Sequence, residues 1–371
     1  MSNMFDYLDW RGDLPFSRAG LNSVDALIFS TVSYTQFDDI VPNDPFRPIL
    51  FSTAVDAFFS LPDHEQRVRD KRDLELLRSA ARSDRFRNTG LCFYRDELIE
   101  REESQFAAMT FLLDDGTAFL AYRGTDYSLV GWKEDFNMSF QETVPAQRKA
   151  LAYAQEFSAV FPGMMYFGGH SKGGNLSVFA AAKSDPTVRS RILNVYNLDG
   201  PGFGDYLMGD AGYIAVVPKI KTYIPQSSII GMLLEHEEPY TVIRSTQVSI
   251  MQHDPYSWVV LGPGFVEAGE MSADTKFMDQ TIKHWLSGMS NQQRNEFVDT
   301  VFDLLGAGGA VKTQHLIHPQ HVLAFFKTLG TNDNVRRLLA GELASLVHSA
   351  RATQQKIEEQ ICLENPNKTT A

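Results

Sequence analysis

Residues 164–183 read Met-Met-Tyr-Phe-Gly-Gly-His-Ser-Lys-Gly-Gly-Asn-Leu-Ser-Val-Phe-Ala-Ala-Ala-Lys, and this stretch constrains the fold more than any other. Its first four residues form an apolar run that fits a buried strand. Its last residues are strong helix formers. Between them lies Gly169-His170-Ser171-Lys172-Gly173, a G-x-S-x-G turn. A strand that reverses sharply into a helix leaves no room for Cβ atoms beside the turn, so glycines flank the serine. The serine hydroxyl then projects above a sheet, next to a helix N-terminus that favours developing negative charge. The alternative is a glycine-rich strand–helix turn carrying a surface serine. The strand before and the helix after the motif favour a nucleophile.

Composition sets the surroundings. The chain has 371 residues, 43% hydrophobic and 22% charged, enough for a sizeable core in one large domain or two ordinary ones. The net charge is 34 − 46 = −12. That argues against nucleic-acid binding, which needs a basic footprint, and gives no general attraction to anionic membranes. Cys92 and Cys362 make neither a disulfide framework nor a metal-ligand spacing, so neither metal nor cofactor is expected. The first ten residues lack a basic segment followed by an apolar run. No stretch approaches the roughly 20 apolar residues of a membrane span. The expected compartment is the cytoplasm, without stable membrane insertion.

In chain order, residues 1–20 read as an irregular lead-in. Ser23 is the candidate cap of a helix over 24–37, and Pro42, Pro45 and Pro48 break the pattern. Further helices are expected over 51–59 and, heavily charged, over 63–82. Short strands follow at 91–94, 106–113 and 117–122, with Asp114-Asp-Gly116 as a hairpin signal. Residues 123–140 read as a loop and 145–160 as a helix. After residues 164–183 come strands at 192–198 and 219–224, with shorter ones at 240–245 and 258–261. Strands separated by helices predict an α/β fold: a mostly parallel central sheet with helices on both faces. From about residue 272 only helices are expected, over 274–289, 291–305, 318–329 and 334–352. The predicted division is an N-terminal helical segment (1–90) packed on a core (91–270), a C-terminal helical appendage (271–360) and a disordered tail (361–371).

A serine hydroxyl is a poor nucleophile near neutral pH and needs a histidine base oriented by a carboxylate. Of the nine histidines, five lie in the C-terminal helices, His64 precedes the sheet and His170 adjoins the serine. His253, in Met251-Gln-His-Asp-Pro-Tyr-Ser-Trp258, sits in a loop beyond the last parallel strand, where the base is expected. His236, within Glu235-His-Glu-Glu238, reads as a solvated turn. Asp199 ends the strand after the motif helix and is the candidate acid; its alternative role is to cap its own Gly-Pro turn. Asp254 adjoins His253, which makes orienting geometry awkward. For the oxyanion, one donor is the backbone N–H of Lys172 and the other comes from Thr125 in Arg123-Gly-Thr-Asp126. Arg123 is read as structural, bridging a loop carboxylate such as Asp135.

Tyr122-Arg-Gly-Thr125, Trp132-x-x-Asp135 and Gly169-His-Ser-x-Gly173 together resemble the fungal-type class 3 lipases. The longer segments Arg-Gly-Thr-Asp, Gly-Trp-Lys-Glu-Asp-Phe and Gly-His-Ser-Lys-Gly-Gly-Asn-Leu are similar to a bacterial lipase-like branch of that superfamily. The resemblance covers roughly residues 23–262. It implies an α/β-hydrolase fold, Ser171 as nucleophile, Thr125 in the oxyanion hole, an ester or lipid substrate, and a lid in the segment after Thr125 (126–140). Two positions depart from the family. Its acid usually follows the strand that here ends in Ser227-Ser228; other α/β-hydrolases carry it one strand earlier, where Asp199 stands. Lys172 replaces the usual leucine, and a cation there would favour an anionic or polar acyl group. The expected activity is a serine esterase or lipase-like hydrolase working through Ser171, His253 and Asp199. The alternatives are a catalytically inactive binding or scaffold protein of the same fold, and acyl transfer.

Overall fold

One sheet runs in sequence order through β1 (Ile49–Leu50), β2 (Gly90–Ile99), β3 (Ser104–Leu112), β4 (Ala118–Tyr122), β5 (Met165–His170), β6 (Ile192–Leu198), β7 (Ile220–Pro225) and β8 (Tyr240–Ile243). The computed structural model describes residues 1–126, 128–312 and 319–364. Strands β1 to β4 pair antiparallel and β4 to β8 pair parallel. Short connections join β2, β3 and β4, residues 51–89 with two helices lie between β1 and β2, and each parallel step needs a crossover. This is the mostly parallel α/β sheet that the strand–helix alternation predicts.

The helices are α1 (Met4–Arg11), α2 (Ser23–Val32), α3 (Phe51–Phe59), α4 (Lys71–Arg82), α5 (Leu129–Asn137), α6 (Pro145–Val160) and α7 (Lys172–Lys183). They continue with α8 (Pro186–Arg189), α9 (Ala211–Val216), α10 (Ala273–Ser287), α11 (Asn291–Leu305), α12 (Pro319–Thr331) and α13 (Asp333–Glu364). The chain divides into two compact units, residues 1–126 with 142–270 and residues 127–141 with 271–371.

In the first unit the period-two pattern of β4 sorts side chains onto two faces. Phe119 and Ala121 join Phe29, Phe58 and Leu77 of the N-terminal helices in one buried cluster. Ala118, Leu120 and Tyr122 join Phe157, Leu176 and Val216 of α6, α7 and α9 in the other. Helices therefore cover both faces, as a parallel sheet requires. Helix α2 is buried along nearly its whole length. Asn22, not Ser23, caps it, accepting from the N–H groups of Val24 and Asp25 at 2.9 and 3.2 Å. Asp25 returns the bond to the Asn22 N–H at 2.9 Å, closing a capping box. The Asp25 carboxylate also meets the fully buried Arg85 guanidinium, at 2.7 Å to Nε and 2.5 Å to Nη2.

Several boundaries differ from the sequence expectation. Residues 4–11 form a helix capped by Asn3 within the supposed lead-in. The charged run is a 3-10 turn at His64–Gln66, then α4, which starts only after its cap Asp70. Helix α2 ends at Val32, well short of residue 37.

In the second unit the segment expected as a loop is helical. Ser128 caps α5 by accepting from the Gly131 N–H at 3.1 Å. Leu129 is buried with Val298, Phe302 and Ala310, the Phe136 ring meets Phe302 edge-on at 5.7 Å, and Lys133 pairs with Asp299 at 2.7 Å. Helix α13 extends to Glu364, and the remainder of the expected tail lies outside the described residues. Among the described residues no helix is long and apolar enough to cross a membrane.

Candidate active site

Strand register brings the candidate residues to one edge of the sheet. Tyr122 at the end of β4 pairs with Gly169, and His170 at the end of β5 pairs with Leu198 at the end of β6. Ser171 and Asp199, each one residue beyond these strands, therefore leave neighbouring strands on the same side, where parallel sheets carry their chemistry. Ser171 has φ 59° and ψ −134°, a backbone state L-residues rarely adopt. Its N–H donates to the Leu198 carbonyl at 2.9 Å. A Cβ on Gly173 would fall 2.0 Å from the Tyr122 carbonyl oxygen, so only glycine lets the first turn of α7 sit this close to β4. The strain is held by α7, whose residues from Lys172 to Ala182 are all buried.

Asp199 is fully buried and also carries a positive φ, 56°. Its N–H donates to the Tyr223 carbonyl at 2.9 Å, which fixes the start of the turn. Asp199 does not cap that turn itself: the Asn197 side chain accepts from the Gly200 N–H at 3.0 Å. The carboxylate instead takes a bond from His253, Nδ1 to Oδ2, at 2.6 Å. Burial pushes the Asp199 carboxyl above the usual carboxylate range, and the His253 bond, with Ser228 and the Gly231 N–H alongside, opposes that push. Ser228, read from sequence as the empty acid position, thus lies beside the acid one strand over.

His253 ends a 3-10 turn, Ser249–His253, between β8 and β9 (Val260–Leu261). Three bonds pin its neighbour Gln252: the Ser227 N–H donates to Oε1 at 2.8 Å, Nε2 donates to the Gln247 carbonyl at 2.9 Å, and the Trp258 indole donates to the Gln252 carbonyl at 3.0 Å. Asp254 turns to Arg72 at 2.8 Å and is not the partner of His253. The His253 side chain keeps 24% of its surface exposed. His236 is not a solvated turn residue. Its ring is buried, 3.0 Å from Glu238 through Nδ1 and 2.8 Å from the Gly231 carbonyl through Nε2.

The loop after β4 lies against the turn. A Cβ on Gly124 would be 3.1 Å from the Ser171 Cβ and 2.5 Å from the His170 carbonyl oxygen. Thr125 is the next residue, and Lys172 opens α7 on the other side of the serine. The Lys172 ammonium is 1% exposed and donates to the main-chain oxygen and Oε1 of Gln105 at 3.1 and 3.0 Å. Arg123 pairs with Asp96 through both terminal nitrogens at 2.6 and 2.7 Å, with Asp126 at 3.7 Å. Among the described residues no group of three or more His, Cys, Asp or Glu side chains could hold a metal ion.

Sequence reasoning passed over two contributors. His170 packs against His253 with ring centroids 4.5 Å apart, and Tyr34, in the turn after α2, reaches the His170 ring at 3.3 Å. Adjacency to the serine was the one available signal for His170; nothing in the sequence places Tyr34 nearby.

The chain is similar to the Rhizomucor miehei lipase propeptide complex, with 15% identity over 48% of this chain and 70% of that one, at a TM-score of 0.35. It is also similar to M37 lipase, with 13% identity over 57% of this chain and 68% of that one, again at 0.35. No curated protein matches the sequence. Residues 80–303, more than half of the chain, match the Mbeg1-like family model, and the chain belongs to the Mbeg1-like family.

Proposed function

We propose that this protein is a serine hydrolase that cleaves a carboxylic ester, as a lipase or esterase does. The observation that carries the reading is the 2.6 Å bond between His253 Nδ1 and the buried Asp199 carboxylate. It stands at the same sheet edge as a serine held in the strained conformation of a nucleophile turn. With Nδ1–H donating to Asp199, Nε2 of His253 is the basic nitrogen that takes the Ser171 proton.

In this reading the Ser171 oxygen attacks the ester carbonyl and its proton passes to His253. Asp199 stabilises the imidazolium that forms. The Lys172 N–H and the N–H or hydroxyl of Thr125 receive the oxyanion. Collapse returns the proton from His253 to the departing alcohol and leaves an acyl-enzyme. Water, deprotonated by the same histidine, then releases the acid. The binding-scaffold alternative rests on the empty usual acid position and on the long helical appendage; the Asp199–His253 bond speaks against the first of these. A fluorophosphonate probe, which reacts only with an activated serine, tests the reading.

A further inference from the structure

His170 is fully buried between the nucleophile and the base, and both of its ring nitrogens are engaged. Nε2 lies 2.9 Å from the main-chain carbonyl oxygen of His253. A carbonyl only accepts, so Nε2 carries the proton. Nδ1 faces the Tyr34 hydroxyl at 3.3 Å, and that hydroxyl also lies 3.4 Å from the His170 main-chain oxygen, to which it donates. Burial, with His253 and Arg69 nearby, keeps the ring neutral. The neutral Nε2–H form is therefore the one these partners select. Trp258 closes another side at 5.9 Å, and the Arg69 guanidinium lies 4.0 Å over the Tyr34 ring.

We infer that His170 is a positioning residue that sets His253 relative to Ser171, resting on the reading of Ser171 and His253 as nucleophile and base. It is bonded covalently to Ser171 and by a hydrogen bond to the backbone of His253, so it links two elements, β5 and the 249–253 turn, that are otherwise joined through separate loops. Its ring also supports the His253 imidazole at 4.5 Å, inclined by 34°. Neutrality belongs to this role. His253 becomes an imidazolium during catalysis, and a second positive ring at that distance would oppose it.

Three forms test this: wild type, His170→Phe, which keeps a ring but loses the donor, and His170→Gln, whose amide N–H can reach the same carbonyl. The readouts are the rate of fluorophosphonate labelling, and kcat and KM for p-nitrophenyl butyrate. His170→Phe is expected to lower kcat and the labelling rate by roughly 10- to 100-fold with KM unchanged, the effect of misplacing a catalytic group. His170→Gln is expected to recover to within about threefold of wild type on the same scale. His170→Phe at the wild-type rate, or His170→Gln as slow as His170→Phe, would overturn the inference. If His170→Phe does not fold, the ¹⁵N spectrum of histidine-labelled wild type decides. A neutral Nε2–H ring at His170 from about pH 5 to 8 supports the inference, and an Nδ1–H or doubly protonated ring overturns it. Failure of wild type to label would reject the hydrolase reading by itself, while the tautomer would still report on the His170 bond.

Discussion

His253 donates through Nδ1 to Asp199 at 2.6 Å across 54 residues of sequence, and that carboxylate is wholly buried. An oriented histidine of this kind needs its acid more for tautomer and orientation than for charge. Asp199→Asn keeps the volume but presents an amide where the carboxylate stood. It is expected to lower kcat on p-nitrophenyl butyrate by up to about 10⁴-fold. Steady-state rates check this, and unchanged turnover would remove Asp199 from the triad.

A second buried carboxylate stabilises the site from behind. Glu238 accepts from Tyr213 at 2.7 Å, Thr222 at 2.6 Å and His236 at 3.0 Å. Burial alone would raise its carboxyl, but the bonds from His236, Thr222 and Tyr213 win, and it sits below the usual glutamate value of 4.5. A carboxyl held lower in the folded state than in the unfolded chain stabilises the fold above the unfolded value. That contribution is lost as pH falls through the folded value. Melting temperatures of wild type and Glu238→Gln are therefore expected to differ most near neutral pH and to converge below about pH 4.5. A gap that stays constant down to about pH 3 would contradict this assignment.

Ser171 was legible because an elbow demands glycines on both sides, and a strand and helix around them, all local in sequence. His253 and Asp199 were legible by elimination along the chain order of the motif. Their pairing was expected from that order; what the sequence did not show is that the Asn197 side chain, not Asp199, closes the Gly200 turn. The fate of Lys172 was also hidden. Its ammonium reaches Gln105 on β3, 67 residues earlier, a contact no local pattern announces. Helix α5 was missed because Gly131 and the polar residues around it read as loop. Its stability comes from Leu129 and Phe136 packing on α11, a tertiary effect that propensity does not register. The Ser23 cap was misplaced by one residue because Asn22 and Ser23 are both good caps and only the geometry decides.

A buried ion pair ties α2 and the segment before it to the turn after α4. Arg85 is held by Asp25 and by the carbonyl oxygens of Leu14, Ala19 and Gly20 at 2.8, 2.9 and 3.1 Å, and Tyr7 donates to Asp25 at 2.8 Å. Arg85→Met would leave the Asp25 charge buried without its partner. It is expected to destabilise the fold by about 3–5 kcal/mol, since an uncompensated buried charge costs more than a lost surface pair. Urea unfolding measures this, and a loss below about 1 kcal/mol, the scale of an exposed pair, would show that the pair is not needed.

The most direct test of the account is the reaction of Ser171 itself. Purified wild-type protein and Ser171→Ala are treated with a fluorophosphonate probe at neutral pH, and the labelled site is mapped by mass spectrometry. The account predicts stoichiometric labelling of wild type at Ser171, none in Ser171→Ala, and ester hydrolysis lost with the label. A folded wild-type protein that takes no label, or a Ser171→Ala variant labelled as fast as wild type, would contradict it.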